Sequence, residues 1–440
     1  MKQSFKIITL GCKVNQCESA YMEEFLIGQG CRKVNKEEPA DIVILNGCIV
    51  TGSASYQTRQ AIRRAVRENP GGKIGAIGCY GQVYPDELSS INGLNLIGGN
   101  TNKGLLPGLL MNMNKEGRAL IVREDFDRSN RFEHIPITKF SDRTRAFLKI
   151  QDGCESLCTY CIIPKARGPL RSLEPDDVIT SLKIFKDNGY KEVVLTGINL
   201  GKYGRDLGGE VDLATLLSDI EKNDITMRIR LSSLNPTEIN ATMIELMAGR
   251  DWLCRHFHIS LQSGDDLILK RMNRDYNAES FVETVNNIKS LVPYASIGVD
   301  VLVGFPGEDN SSFSKTYRLL SELPVSYFHV FPYSRRKGTP AAKFSHQVED
   351  RVIKKRVFAL RLLDQKKRQA FRENLLGSTF SVLSEGWVSG RSGIIGGLAD
   401  NYVRFTFPSK NLVKNEIVSL RAEDLTRDGV SASLWNERSH

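Results

Sequence analysis

Three cysteines stand at residues 154, 158 and 161 in "GCESLCTYCIIP", and the next cysteine downstream is Cys254. A structural zinc site wants four ligands. Thiolates also hold iron-sulfur cubanes, where four cysteines normally cap the four irons. A trio leaves one iron without a protein ligand, so the spacing of Cys154, Cys158 and Cys161 predicts a cluster whose free corner chelates a small molecule. Zinc with a distant fourth ligand is the alternative. A second trio, Cys12, Cys48 and Cys79, is built differently. Each follows a glycine and closes a short apolar run, at intervals of 36 and 31 residues. Strands one βαβ unit apart point the same way in a parallel sheet, so their terminal cysteines converge on the edge where such sheets bind ligands. This predicts a second cluster; the alternative is a set of unrelated core cysteines, since free cysteine is commonly buried. Cys17, Cys31 and Cys254 fit neither pattern and read as structural.

The elements that position these groups follow from hydrophobic periodicity. "FKIITLGC", "DIVILNGC" and "KIGAIGCY" are β-rich runs followed by helix-like stretches such as residues 53–68. That rhythm predicts an α/β fold with a parallel sheet in an N-terminal αβα domain, residues 1–125. Residues 107–145, mixed and rich in charge and Asn, read as a connector across the next boundary. From residue 147 six apolar runs recur, "FLKIQDG", "EVVLTGIN", "MRIRLSSL", "HFHISLQS", "SIGVDVLVGFPG" and "YFHVFPY", separated by helix-length segments. Six βα units predict a partial (βα)6 barrel over residues 140–376, with the clamp at the carboxyl end of its first strand, the face where barrel active sites are built. Residues 377–440 carry strand-like runs broken by Gly-rich turns, which suits a small all-β barrel.

Composition narrows the class. With 440 residues, 41% hydrophobic and 25% charged, the chain can bury several cores. No apolar run approaches a membrane span and no secretory signal is visible, so a cytoplasmic location is expected and no membrane partner. Nine cysteines in such a chain fit reduced, metal-binding thiols better than disulfides. The net charge of +9 is concentrated in residues 351–376, where nine Lys or Arg accompany Asp364 and Glu373 alone. Ile353, Val357, Leu360 and Leu363 give that segment a helical apolar stripe, leaving either a solvated basic face or one that tracks phosphates.

The clamp, with Tyr160 before its last cysteine, resembles the signature of radical S-adenosylmethionine enzymes. The resemblance implies that the open iron binds the cofactor's methionine, and that an electron then releases a deoxyadenosyl radical which removes hydrogen from an unactivated carbon. It also implies cofactor contacts at Thr196, Gly197 and Asn199 in "LTGINLG", at Ser260 and Gln262 in "HISLQSG", and at Gly304 in "DVLVGFPGE". "LGCKVNQCES", "LNGCIVTGSASYQTRQAIRRA", "IGCYGQ", "RGPLRS" and "FPYSRRKGTPAA" are similar to the methylthiotransferase branch, and the C-terminal domain is similar to TRAM, an RNA-binding barrel. What this implies is a transferase with two 4Fe-4S clusters and S-adenosyl-L-methionine, replacing C-H by C-S-CH3, served by an external one-electron reductant and sulfur donor.

"GCKVNQ" followed by Glu18, together with "TRQAIRRA" and "GCYGQ", is most similar to the branch that modifies N6-threonylcarbamoyladenosine at position 37 of tRNA. An anticodon loop, rather than DNA, is the expected partner, because its unpaired bases can be splayed into a pocket. Isopentenyladenosine in tRNA, an aspartate of a ribosomal protein, and a non-catalytic iron-sulfur carrier are the alternatives. Residues 377–440 hold equal numbers of basic and acidic side chains, so charge lends that domain no preference for RNA.

Overall fold

The computed structural model describes residues 2–409 and 414–435, apart from 116, 128 and 142. Strands β1 (Ser4–Thr9), β2 (Arg32–Lys33), β3 (Ile42–Gly47), β4 (Lys73–Gly78), β5 (Leu96–Gly98) and β6 (Leu120–Val122) pair in parallel in the order β2-β1-β3-β4-β5-β6. β3 is buried along its whole length because helices cover both faces. Met22 and Leu26 of helix Lys13–Gly28 pack with Ile42 and Ile44 on one side. Ile62 and Ala65 of helix Gly52–Glu68 pack with Val43 and Leu45 on the other. The chain leaves β1 in one direction to β2 and in the other to β3, so the topological switch lies between β1 and β3. The stretch read as a connector is partly recruited: helix Leu106–Asn112 packs on the sheet and β6 extends its edge. Three residues with exposed leucine and isoleucine carry too little pattern to announce a strand.

The six later runs become β7 (Ala146–Lys149), β10 (Glu192–Thr196), β11 (Arg228–Leu231), β13 (His256–Gln262), β14 (Ser296–Val303) and β15 (Tyr327–Pro332). Short β8 (Gln151–Asp152) and β9 (Arg171–Ser172) form a hairpin around the cysteine clamp, and β12 (Ser233–Leu234) starts the second half. The parallel orders β11-β10-β7 and β12-β13-β14-β15 make the two halves of a partial barrel around one large core. Helix Asp350–Glu373 buries the expected stripe of Ile353, Val357, Leu360 and Leu363. Arg356 is buried with it and paired to Glu308 at 2.8 Å, so one cation expected on the outer face is internal.

β16 (Thr379–Trp387), β17 (Ile394–Ala399), β18 (Arg404–Pro408), β19 (Ile417–Leu425) and β20 (Val430–Leu434) close into a barrel in the order β16-β17-β18-β20-β19. Its dock is made by two buried arginines of β11. Arg228 donates to the carbonyl oxygens of Ser381 (2.9 Å) and Leu398 (3.2 Å), and Arg230 to those of Ala399 (3.1 Å) and Asp400 (2.8 Å). Buried Glu192 supplies the counter-charge, 2.6 Å from Arg228 and 2.7 Å from Arg230.

Candidate active site

The glycine before each N-terminal cysteine has a geometric reason. β1, β3 and β4 are neighbours, and Cys12, Cys48 and Cys79 follow their carboxyl ends, Cys12 and Cys48 flanking the switch point. Gly11 has φ +118°, and a Cβ there would lie 2.8 Å from Cβ of Cys48. Gly78 has φ +104°, and a Cβ would lie 2.6 Å from Oδ1 of Asn46. Only glycine lets the loops approach closely enough to bring the thiols together. Cys12 is exposed while Cys48 and Cys79 are buried, so the trio opens on the Cys12 side. Burial pushes the Cys48 thiol up to about 12, with Cys79 and Cys12 as neighbouring sulfurs. Metal binding there would displace protons from thiols, as ligation of soft metals does.

The clamp is held by backbone and by one arginine. Cys154 N-H donates to Gly168 O at 3.1 Å, and Cys161 N-H to Cys158 O at 2.9 Å. Cys161 Sγ accepts from Ile163 N-H at 3.4 Å, and Cys158 Sγ from Arg274 Nη1 at 3.2 Å. Arg274 also bonds Tyr276 at 3.0 Å and reaches Asn235, fixing its guanidinium beside the thiols. Tyr160 stands edge-on to Phe305, with Leu302 in the same apolar cluster.

Between the two trios lies a buried charge network. Arg167, at the end of helix Ile163–Arg167 just after the clamp, is fully buried. It donates to Glu18 (2.6 Å) and Asn15 (2.7 Å) from the first sheet's leading helix, and approaches Asp152 at 3.2 Å. Lys103 pairs with the other Glu18 oxygen. Cys79, Glu18, Asp152 and Cys12 are the negative or potentially negative groups around Arg167, and they hold its charge on despite burial. Among the described residues its buried Nε has no hydrogen-bond partner. Three convergent thiols beside an orphaned cationic N-H form a donor set that fits an iron-sulfur cluster with sulfur ligands. A cleft of about 670 Å³ is lined from the clamp side by Cys154, Glu155 and Lys165 and from the first sheet's side by Gln82 and Arg123.

The structure places the remaining sequence candidates on the barrel. Thr196 ends β10, and Asn199 N-H donates to Oε1 of Gln151 at 2.7 Å. The Asn199 side chain is 3.3 Å from Ser156 Oγ in the clamp loop, so this segment faces the clamp across the barrel mouth. Ser260 and Gln262 lie half-buried on β13, where Gln262 takes φ +63° at a bulge. Gly304 donates its N-H to Glu308 at 2.8 Å, and its open Cα face is filled by Ile353. Arg167, Lys103, Arg274 and Gln151 were not among the candidates. Arg167 lies within the quoted "RGPLRS" region's first residue, but nothing in the spacing marks it as reaching a residue 149 positions away. His258, Asp300 and His329 on adjacent strands, with ligand atoms within 4.8 Å of one another, were missed for the same reason.

The Radical SAM superfamily model matches residues 148–320, and that of an uncharacterized family, UPF0004, matches residues 4–99. The chain is 36% identical to threonylcarbamoyladenosine tRNA methylthiotransferase MtaB of Bacillus subtilis, over 94% of this chain and 92% of that protein. It is 39% identical to the protein of the same name from Aquifex aeolicus, over 87% and 92%. It is 34% identical to tRNA-2-methylthio-N(6)-dimethylallyladenosine synthase of Pelotomaculum thermopropionicum, over 90% and 89%. Among solved structures, the radical S-adenosylmethionine methyltransferase TsrM of Kitasatospora setae shares the fold, with TM-score 0.56 and 13% identity over 78% of this chain and 77% of that one.

Proposed function

This chain belongs to the radical S-adenosylmethionine tRNA methylthiotransferases, and from that membership we propose that it converts N6-threonylcarbamoyladenosine at position 37 of tRNA to its 2-methylthio derivative. The observation that carries the reading is the cleft into which clamp and first sheet both project, with Arg167 buried between the two cysteine trios. The clamp cysteines would hold one cluster, and Cys12, Cys48 and Cys79 the second. Bound there, the clamp cluster with S-adenosylmethionine supplies a hydrogen-abstracting radical, and the second cluster supplies sulfur.

The chain's own residues bind and orient. Arg274 donates to Cys158 Sγ and fixes where that sulfur points. Tyr160 and Phe305 form an apolar wall beside the clamp and exclude water from it. Thr196, Gly197 and Asn199 stand across from Ser156 at the mouth, where they would meet the cofactor's methionine, and Ser260 and Gln262 would line its adenosine. Arg167 locks the clamp to the first sheet, so the reacting centres keep a fixed separation. The exposed cations of helix Asp350–Glu373 would hold the anticodon loop's phosphates while one base is splayed into the barrel. The reaction needs an external one-electron reductant and a sulfur donor, and a cytoplasmic setting suits both. Among the described residues, no helix is long and apolar enough to cross a membrane.

The relatives named for dimethylallyladenosine keep that nucleoside as the second reading. Mass analysis of tRNA nucleosides from cells with and without the gene separates them. Loss of the methylthio-threonylcarbamoyl nucleoside alone is expected; loss of the dimethylallyl product instead would replace the substrate.

A further inference from the structure

The inward face of β13, β14 and β15 carries a polar array that the roles above leave unused. Asp300 pairs in register with Ser260 on one side and His329 on the other, and His258 lies one inward position below Ser260, about 7 Å down the strand. Leu302, the next inward residue of β14, packs in one cluster with Tyr160 of the clamp, so this face looks into the lumen beneath the clamp. Nε2 of His258 is 2.8 Å from Oδ1 of Asp300, and Nδ1 of His329 is 3.5 Å from the same oxygen. Nδ1 of His258 meets Ser233 Oγ at 3.3 Å, so both ring nitrogens of His258 are engaged. Among the described residues, Nε2 of His329 has no hydrogen-bond partner, and its side chain is 45% exposed. Below the array the lumen is floored by His256 stacked on Tyr402 at 4.4 Å.

We propose that His329, held by Asp300 beside His258, is the specificity residue that reads the N6 substituent of the target adenosine, accepting a ureido-linked amino acid and disfavouring an alkyl group. This rests on the tRNA reading above. For C2 to be attacked it must face the clamp, and the C6-N6 bond leaves the purine in another direction, so the substituent must meet a different part of the lumen wall. The array is the hydrogen-bonding part of the wall below the rim. Although burial opposes it, hydrogen bonds from His258 and His329 hold the Asp300 carboxyl down at about 2, so the wall carries a charge that an apolar ligand would desolvate without compensation. A threonylcarbamoyl group brings N-H, hydroxyl and carboxylate. Nε2 of His329 is the ring nitrogen left to hydrogen-bond with these groups. A dimethylallyl group offers none of these, and a site built to hydrogen-bond its substrate discriminates strongly against a ligand that cannot.

The test uses the reconstituted full chain as wild type, His329→Phe and His329→Gln, with anticodon stem-loop RNAs carrying either N6-threonylcarbamoyladenosine or N6-dimethylallyladenosine. Product nucleoside is measured against RNA concentration, with iron content and thermal melting alongside. His329→Phe is expected to raise KM for the threonylcarbamoyl RNA at least tenfold with a smaller change in kcat, and to leave or improve kcat/KM for the dimethylallyl RNA. His329→Gln, which keeps a hydrogen-bonding end, is expected to recover part of the loss, and it carries the test if the Phe variant fails to fold. An unchanged KM, or equal loss on both RNAs, overturns the assignment while leaving the proposed function standing. Zinc or iron beyond the cluster complement that disappears in His329→Gln overturns it too, because a metal would occupy the lone pairs it needs. Wild type active on the dimethylallyl RNA and inactive on the other removes the substrate reading and this inference with it.

Discussion

Arg167 Nη1 lies 2.6 Å from Oε1 of Glu18, both side chains are buried, and the contact joins the short helix after the clamp to the helix that follows Cys12. An isolated buried charge is expensive, so removing one partner of such a pair costs about 3–5 kcal/mol. Arg167→Ala is therefore expected to lower the melting temperature, and also to release the second cluster, because the lost guanidinium is a cation beside both Cys79 and Cys12. Iron should fall by about four atoms per chain. Chemical iron analysis with melting curves decides this; a destabilised protein that keeps its full iron complement would show that Arg167 only braces the two bodies.

The two trios predict separable losses. Cys158→Ala should abolish 5′-deoxyadenosine formation, since no cofactor can be activated without the clamp. Cys48→Ala should leave deoxyadenosine formation detectable and abolish methylthio product. Anaerobic assays of both products on the same preparations check the division. Deoxyadenosine lost equally in both variants would contradict it.

Gly11→Ala places a Cβ 2.8 Å from that of Cys48 at φ +118°. The left-handed strain alone costs about 1–3 kcal/mol, and relief requires the loop to move away from Cys48. Reduced occupancy of the second cluster is expected, with the clamp cluster intact. The variant's iron-sulfur spectra, recorded in a Cys158→Ala background to isolate the second site, measure this directly.

Much of this arrangement is legible in the chain because it is local. A Gly-Cys pair at the end of a β-run marks where the strand stops and the cysteine sits, and six apolar runs at βα spacing mark the barrel strands. The first sheet's edge strand, Leu120–Val122, is too short for any period to register. Arg167 meeting Glu18, or His258, Asp300 and His329 meeting in one cluster, depends on which strands become neighbours and in what register, and no window of sequence contains all the partners. The same limit hid Arg356, whose burial against Glu308 removes one charge from a face that the helical pattern alone makes uniformly basic.

The dock of the terminal barrel should be acid-sensitive. Burial works against the Glu192 carboxylate, but Arg230 and Arg228 hold it down at about 2, against an ordinary 4.5. With a folded value below the unfolded one, the stabilisation is fully present above pH 4.5 and declines as pH falls towards 2; a shift of this size corresponds to roughly 3 kcal/mol. Protection of β16 to β20 against hydrogen exchange, corrected for the intrinsic rate at each pH, should fall on acidification across that window, and Glu192→Gln should show the same loss of protection at neutral pH. Unchanged protection in that variant would mean that the arginine-carbonyl bonds hold the barrel unaided.

Binding of the anticodon arm is expected to depend on salt through helix Asp350–Glu373. With Arg356 internal and Arg368 paired to Asp364 at 2.8 Å, the exposed cations are Arg351, Lys354, Lys355, Arg361 and Lys366. If about four of them meet phosphates of a single strand, log affinity should fall with log salt at a slope near −3. Replacing Lys354, Lys355 and Arg361 together by Ala should flatten that slope towards about −1 and weaken binding at low salt, leaving iron content untouched. Because the terminal barrel carries equal numbers of basic and acidic residues over 377–440, a slope that stays near −3 in the triple variant would transfer the phosphate contacts to another face altogether.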